Sequence, residues 1–210
     1  MPDAPGLELI AQEINGAREG TVVETSHERG AATLIVDSER ILDALRWLRD
    51  TPGQEYGFLA SLHAADYLPA QPRFALHYEL LNMPRVERLH VKALLEDPAS
   101  PSTAPSSTAK RVAPGGAPSH DPGVSGDGAD ALATLNLPEI DSCVELFPTA
   151  EFQEREAYDF FGIRFRGHPD LRRILMPEDY VGWPQRRDFP LGGEPVLFTQ
   201  NEVELPRWYE

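Results

Sequence analysis

The chain carries a single cysteine, Cys143, in 210 residues. One thiol cannot close an intrachain disulfide, and it cannot supply the thiolate sets of iron–sulfur clusters or structural zinc sites. Basic residues are also scarce: 19 Lys and Arg stand against 34 Asp and Glu, a formal net charge of −15. That balance argues against nucleic acid as a partner, because backbone binding rests on neutralising phosphates. Nowhere is there a run of about 18 apolar residues, so no segment is expected to span a bilayer. The stretch MPDAPGLELIAQEING lacks a basic region followed by an apolar one, so no secretory signal is expected. A cytosolic chain, or one attached on the cytosolic side, follows. Motifs that carry chemistry are missing too: there is no G-x-G-x-x-G, no Walker A loop, no H-E-x-x-H and no G-x-S-x-G.

What is present is a globular composition, 41% hydrophobic, interrupted by 20 prolines and 16 glycines. Leu7, Ile10, Ala11 and Ile14 recur at helical spacing, with Gly16 as a stop. The runs TVVETS and AATLIVD, parted by HERG, read as a hairpin. Ser38 is expected to cap a helix holding Ile41, Leu42, Leu45, Trp47 and Leu48. Three strand-like runs follow: GFLASLHAADY, RFALHYELLN and ERLHVKALLE. The expected fold class is α+β: a mixed or antiparallel sheet flanked by helices, followed by a long extended C-terminal arm.

Residues 1–97 are expected to form an N-terminal α/β domain. Residues 98–134, rich in Pro, Ser, Ala and Gly, lack the apolar surface to offset the entropy of ordering and read as a disordered insertion. Its GVSGDG tract is a weak phosphate-site candidate, since no strand or helix flanks it. The domain should close over 135–163 with a strand and a helix, Thr149 standing at the N-cap. From 164 to 210 recurring prolines forbid a long helix, giving an arm that cannot pack on itself and therefore packs on another chain. The domain is expected to fold without it.

Three histidines, His63, His77 and His90, lie in strand-like runs without common ligand spacing and read as surface or satisfied core residues. His168 could act with Asp159 or Asp170 as a base. The preferred reading has His168 and Asp170 fixing a turn while Arg172 and Arg173 reach outward. Glu154, Glu156 and Asp159 could be catalytic or metal-binding carboxylates, but Arg155 lies among them and ion pairing is the simpler account.

Between Glu154 and Leu191 aromatic residues alternate with arginines, a mixture suited to a protein interface. Glu154-Arg155-Glu156, Asp159-Phe160-Phe161-Gly162-Ile163, and Gly167-His168-Pro169-Asp170-Leu171-Arg172-Arg173-Ile174-Leu175 closely resemble the signature of the respiratory complex I 30 kDa subunit family, which includes the C subunits of the bacterial NADH–quinone oxidoreductases. Met176-Pro177-Glu178-Asp179, Gly182, Pro184, Arg186-Arg187-Asp188 and Pro190-Leu191 continue it in register. Two stretches, Ala150–Gln153 and Pro184–Arg187, depart from the family's usual Trp and Leu-Arg-Lys while keeping aromatic and basic character.

The resemblance implies a non-catalytic peripheral-arm subunit of a proton-translocating NADH:quinone oxidoreductase. It implies no cofactor, metal or catalytic residue in this chain; FMN, iron–sulfur clusters, NADH and quinone belong to the complex as a whole. Implied partners are the 49 kDa-type D subunit and the B and I iron–sulfur subunits, on the cytoplasmic face of the bacterial membrane, with membrane contact only through the complex. The implied interface residues are Glu154, Arg155, Glu156, Tyr158, Asp159, Phe161, Gly162, His168, Pro169, Asp170, Arg172, Arg173, Leu175, Pro177, Arg186, Arg187 and Asp188. Alternatives are the equivalent subunit of a membrane-bound hydrogenase, F420H2 dehydrogenase or plastid-type complex, a stand-alone metal-assisted hydrolase using Glu154, Asp159 and His168, and a small adaptor.

Overall fold

Asp3 starts the first helix: its carboxylate accepts the Gly6 N–H at 2.9 Å, and α1 runs over Ala4–Ala17 with Leu7, Ile10, Ala11 and Ile14 buried. The hairpin follows, β1 over Val22–Glu28 and β2 over Ala31–Val36. Its tight connection needs positive φ at both central residues, and Arg29 (51°) and Gly30 (79°) supply it. A short turn of 3-10 helix, Ser38–Arg40, leads into α2, Ile41–Asp50. Asp37 caps that turn, accepting the Glu39 N–H at 3.1 Å, while α2 has Arg40, not Ser38, at its N-cap and no side-chain cap bond.

Three long strands, β3 (Phe58–Asp66), β4 (Phe74–Asn82) and β5 (Glu87–Leu95), complete a five-stranded sheet in the order β1-β2-β5-β4-β3. All its pairings are antiparallel except β2 with β5, which is parallel, so the sheet is mixed and the fold is α+β as expected. Further along the chain come β6 (Glu139–Asp141), α3 (Ala150–Phe161) and β7 (Arg164–Arg166), with β6 and β7 forming a small parallel pair. The computed structural model describes residues 2–98, 136–178, 180 and 182–189. The GVSGDG tract, the rest of the predicted insertion beyond Pro98, and the arm after Phe189 lie outside the described residues.

One face of the sheet meets the helices. Leu34, Val36, Leu59, Leu76, Tyr78, Leu80, Leu89 and Val91 join Ile41, Leu45 and Leu48 of α2 and Ala150, Ala157 and Phe161 of α3 in one buried core. Alternation puts Thr33, His77, His90 and Lys92 on the opposite face. Thr149 does hold the N-cap position of α3, but its hydroxyl donates to the Leu59 carbonyl at 3.0 Å, tying the helix to β3 instead of to its own first turn.

Leu80→Ala should lower stability by about 2–5 kcal/mol, since it opens a cavity in this core, whereas Leu9→Ala, at an exposed site, should stay within about 0.5 kcal/mol. Urea unfolding monitored by circular dichroism would compare the two.

Candidate functional site

The inner face of α3 points two acidic residues inward. Glu154 is fully buried and accepts from the Ser142 hydroxyl at 2.6 Å and the Cys143 N–H at 2.8 Å. Burial pushes its carboxyl above the usual range despite those bonds. Asp159, further along the same helix, is equally buried. One oxygen accepts the N–H groups of Ile174 (3.0 Å), Leu175 (2.7 Å) and Met176 (2.8 Å); the other pairs with the Arg173 guanidinium at 2.7 Å. Burial works against the Asp159 charge, but those N–H donors and Arg173 outweigh it and hold the carboxyl below the ordinary range.

Arg155 turns to the same segment and donates to the carbonyls of Arg172 (3.2 Å) and Arg173 (3.3 Å). It does not neutralise its carboxylate neighbours, as ion pairing within the helix would require. His168 bridges helix and turn: one ring nitrogen, Nε2, lies 3.0 Å from the Glu151 carbonyl, and Nδ1 accepts the Asp170 N–H at 3.0 Å. His168 and Asp170 thus meet in a turn, with Arg172 pairing outside to Asp170 at 2.9 Å. Arg173 departs from the expectation: it points inward.

α3 ends at Gly162, whose φ of 67° suits glycine. A side chain there would overlap the Trp183 indole, which lies directly on the glycine. Trp183 is itself buried between the Arg173 guanidinium, 4.7 Å from its ring, and Tyr158, edge-on at 5.3 Å. Arg186 then donates to the Phe161 carbonyl at 2.6 Å and lies 4.9 Å over the Phe74 ring. Arg187 N–H reaches Asp66 at 2.8 Å. Asp188 pairs at 2.6 Å with Arg73, which is buried between Asp66 (2.8 Å) and Asp97 (2.7 Å). The described residues between 164 and 189, part of the arm expected to pack on another chain, lie against α3 and the end of the sheet.

Residues 34–111 and 131–195 match the family described as "Respiratory-chain NADH dehydrogenase, 30 Kd subunit". The chain belongs to that family. The C subunit of an NADH-quinone oxidoreductase from Saccharopolyspora erythraea is 35% identical over 97% of this chain and 66% of its own length. Its counterpart from Roseiflexus castenholzii is 36% identical over 93% of this chain and 91% of its own. A chain of the membrane-bound sulfane sulfur reductase, an archaeal respiratory membrane complex, superposes with a TM-score of 0.56 at 20% identity, over 88% of this chain and 85% of that one. The latter likeness speaks for the fold alone.

The 30 kDa family signature of this chain divides by orientation. Glu154, Arg155, Asp159, Phe161, Gly162 and Arg173 are buried; Tyr158, His168 and Arg186 are half-buried. Glu156, Pro169, Asp170, Arg172, Leu175, Pro177, Arg187 and Asp188 are exposed. Two neighbours that sequence reasoning left off the interface are also exposed, Phe152 (59%) and Ile174 (37%), beside Leu175 at 59%. An apolar residue on the solvent side of a charged helix was the signal for Phe152. Nothing in local spacing announced Asp66, Arg73 and Asp97, which converge from separate strand ends. The three groups of the hydrolase alternative are each engaged elsewhere: Glu154 by Ser142 and Cys143, Asp159 by Arg173, His168 by backbone. Among the described residues no cluster of three or more His, Cys, Asp or Glu is arranged to hold a metal.

Asp159→Ala should cost about 3–5 kcal/mol, because it leaves Arg173 buried without its partner and strips three N–H groups of their acceptor. The carboxylate's contribution is present above the unfolded value, about pH 3.9, and is lost as pH falls through the lower folded value; urea midpoints measured between pH 7 and 3 should therefore converge for the two proteins. Gly162→Ala should displace Trp183 and shift its fluorescence towards the exposed position, which emission spectra of the folded protein would show.

Proposed function

We propose that this chain is a non-catalytic peripheral-arm subunit of a proton-translocating NADH:quinone oxidoreductase. It would brace its neighbours, the 49 kDa-type D subunit and the B and I iron–sulfur subunits, on the cytoplasmic face of the membrane. Electron transfer between clusters depends on distance and on exclusion of water, so a subunit without redox groups contributes by holding those distances. The observation that carries the reading is the outward side of the family signature: Phe152, Ile174 and Leu175 lie exposed, with the exposed Arg172 beside them and Arg155 over the Phe152 ring at 5.6 Å. Exposed apolar anchors beside an arginine, standing on a base already ordered by Asp159, suit a protein partner. The same reading assigns Glu154, Arg155, Asp159, Phe161, Gly162 and Arg173 to shaping that surface from beneath. The remainder of the arm, 190–210, is proposed to extend the contact.

The test is tagged chain expressed in its host, extracted in mild detergent, with co-purifying proteins identified. Flavin- and cluster-bearing subunits with quinone-linked NADH oxidation are expected; hydrogenase subunits in their place would move the assignment to that complex. Phe152→Asp with Leu175→Asp should reduce recovery of partners at least tenfold while the thermal midpoint of the chain stays within a few degrees. Normal assembly of that folded variant would remove this surface from the interface.

A further inference from the structure

The sheet face opposite the core carries a continuous line of hydrogen bonds between side chains from three strands and a loop. Tyr67 Oη lies 3.2 Å from His77 Nε2; His77 Nδ1 lies 2.8 Å from His90 Nε2; His90 Nδ1 lies 3.1 Å from Thr33 Oγ1. The register makes this possible. His77 of β4 stands opposite Lys92 of β5, and Glu79 opposite His90, so the two imidazoles are diagonal neighbours; Thr33 of β2 stands opposite His90. The two ring planes are only 13° apart with centroids at 4.9 Å, so each N–H can aim along the line to the next nitrogen.

Each neutral imidazole has one donor and one acceptor nitrogen, while each hydroxyl can do either. Two arrangements then satisfy every atom in the line. In one, Tyr67 donates to His77 Nε2, His77 Nδ1–H to His90 Nε2, and His90 Nδ1–H to Thr33. In the other, all three bonds are reversed: Thr33 donates to His90 Nδ1, His90 Nε2–H to His77 Nδ1, and His77 Nε2–H to Tyr67. No group is orphaned in either sense, and the line ends at an exposed side chain, Tyr67.

We propose that Tyr67, His77, His90 and Thr33 form a reversible proton relay across this face of the sheet. Starting from the second arrangement, His90 Nδ1 takes a proton from the Thr33 hydroxyl, which is replenished from its surroundings. The Nε2 proton of His90 passes to His77 Nδ1, and the Nε2 proton of His77 passes to Tyr67, whose own proton leaves to solvent. One proton enters, one leaves, and the line is left in the first arrangement. The relay uses only this chain's own side chains and does not rest on the assembly reading.

The surroundings keep the resting line uncharged. Burial, together with the His90, His63 and Lys92 charges, pushes His77 down to about 3. His90 is lowered as well, by burial and by His63 and Lys92, against the opposing pull of Glu79. His63 of β3 lies parallel to His77 with centroids at 5.0 Å, and its Nδ1 faces the Ser61 hydroxyl at 3.4 Å. Lys92 Nζ sits 4.6 Å over the Tyr67 ring. Ser26 of β1, opposite Thr33, adds no charge. At neutral pH a passing proton is therefore carried transiently and not stored.

The full chain labelled with 15N-histidine, read by long-range 1H–15N correlation at pH 7, tests this. Tyr67→Phe removes the acceptor at one end, so both rings should hold the Nδ1–H tautomer. Thr33→Val removes the acceptor at the other, so both should hold Nε2–H. The wild type should give shifts between those two extremes, with the two rings moving together. The same tautomers in both variants, or opposite tautomers within one protein, would overturn the relay. A wild type fixed at one variant's shifts would make the line a static strut and overturn it too. Leu9→Ala, at an exposed site on α1, should leave the wild-type shifts in place and serves as the folded control.

Discussion

The carboxylate of Asp159 fixes the irregular segment that begins at Arg173. A buried charge is tolerated only when donors replace the water it has lost, and here four do: one guanidinium and three consecutive backbone N–H groups. Those N–H groups belong to a stretch next to Pro177 that forms neither helix nor strand, so without the carboxylate they would have no acceptor inside the protein. The interaction therefore works in both directions. The segment makes the buried charge tolerable, and the charge gives an irregular segment a fixed shape. Arg173 carries the constraint onward, since the guanidinium that meets Asp159 also reaches the Gly182 carbonyl at 2.8 Å and lies against Trp183.

From that anchor the orientation of the family signature follows. Residues whose chemistry would suggest contact with a partner, such as Arg173 and Arg155, are consumed in shaping their own chain. Among the groups left outside are Phe152, Arg172, Ile174 and Leu175, and Ile174 and Leu175 stand on a base already ordered by Asp159. Preordering of that kind lowers the entropy lost at an interface. At the far end the same segment is fastened to the sheet by Arg73, whose guanidinium is raised well above its ordinary value: burial opposes this, and Asp66 and Asp188 outweigh it. Two separate ionic anchors, one on α3 and one on the sheet, thus hold a stretch whose described residues from Arg173 to Asp188 form neither helix nor strand.

Much of this could be read from the residues. Alternation located the three long strands closely, HERG marked the hairpin, and the Glu154–Leu191 signature placed the chain in its family in register. What escaped the reading is nonlocal. The parallel pairing of β2 with β5 joins residues such as Thr33 and His90, 57 positions apart, which no local pattern records. The inward turn of Arg173 could not be told from the outward turn of Arg172 next to it, because alternation along an irregular segment has no fixed period. Among the described residues after Gly162, proline content agrees with the lack of helix but did not preclude packing: a chain can lie on its own domain without regular structure if side chains, here Asp159 and Asp66, accept its N–H groups.

The same nonlocality explains why His77 and His90 looked ordinary in sequence. Separated by 13 positions, they share no ligand spacing, and each alone is a satisfied strand residue. Only the antiparallel register sets them diagonally, and only Thr33, brought in by the parallel strand, closes the line. Stability does not require imidazoles there. β-Branched apolar residues suit a strand better, and replacing both members of a buried hydrogen-bonded pair by apolar groups of similar shape is often neutral or stabilising. A set of four side chains that is satisfied in either sense can carry a proton as well as link three strands.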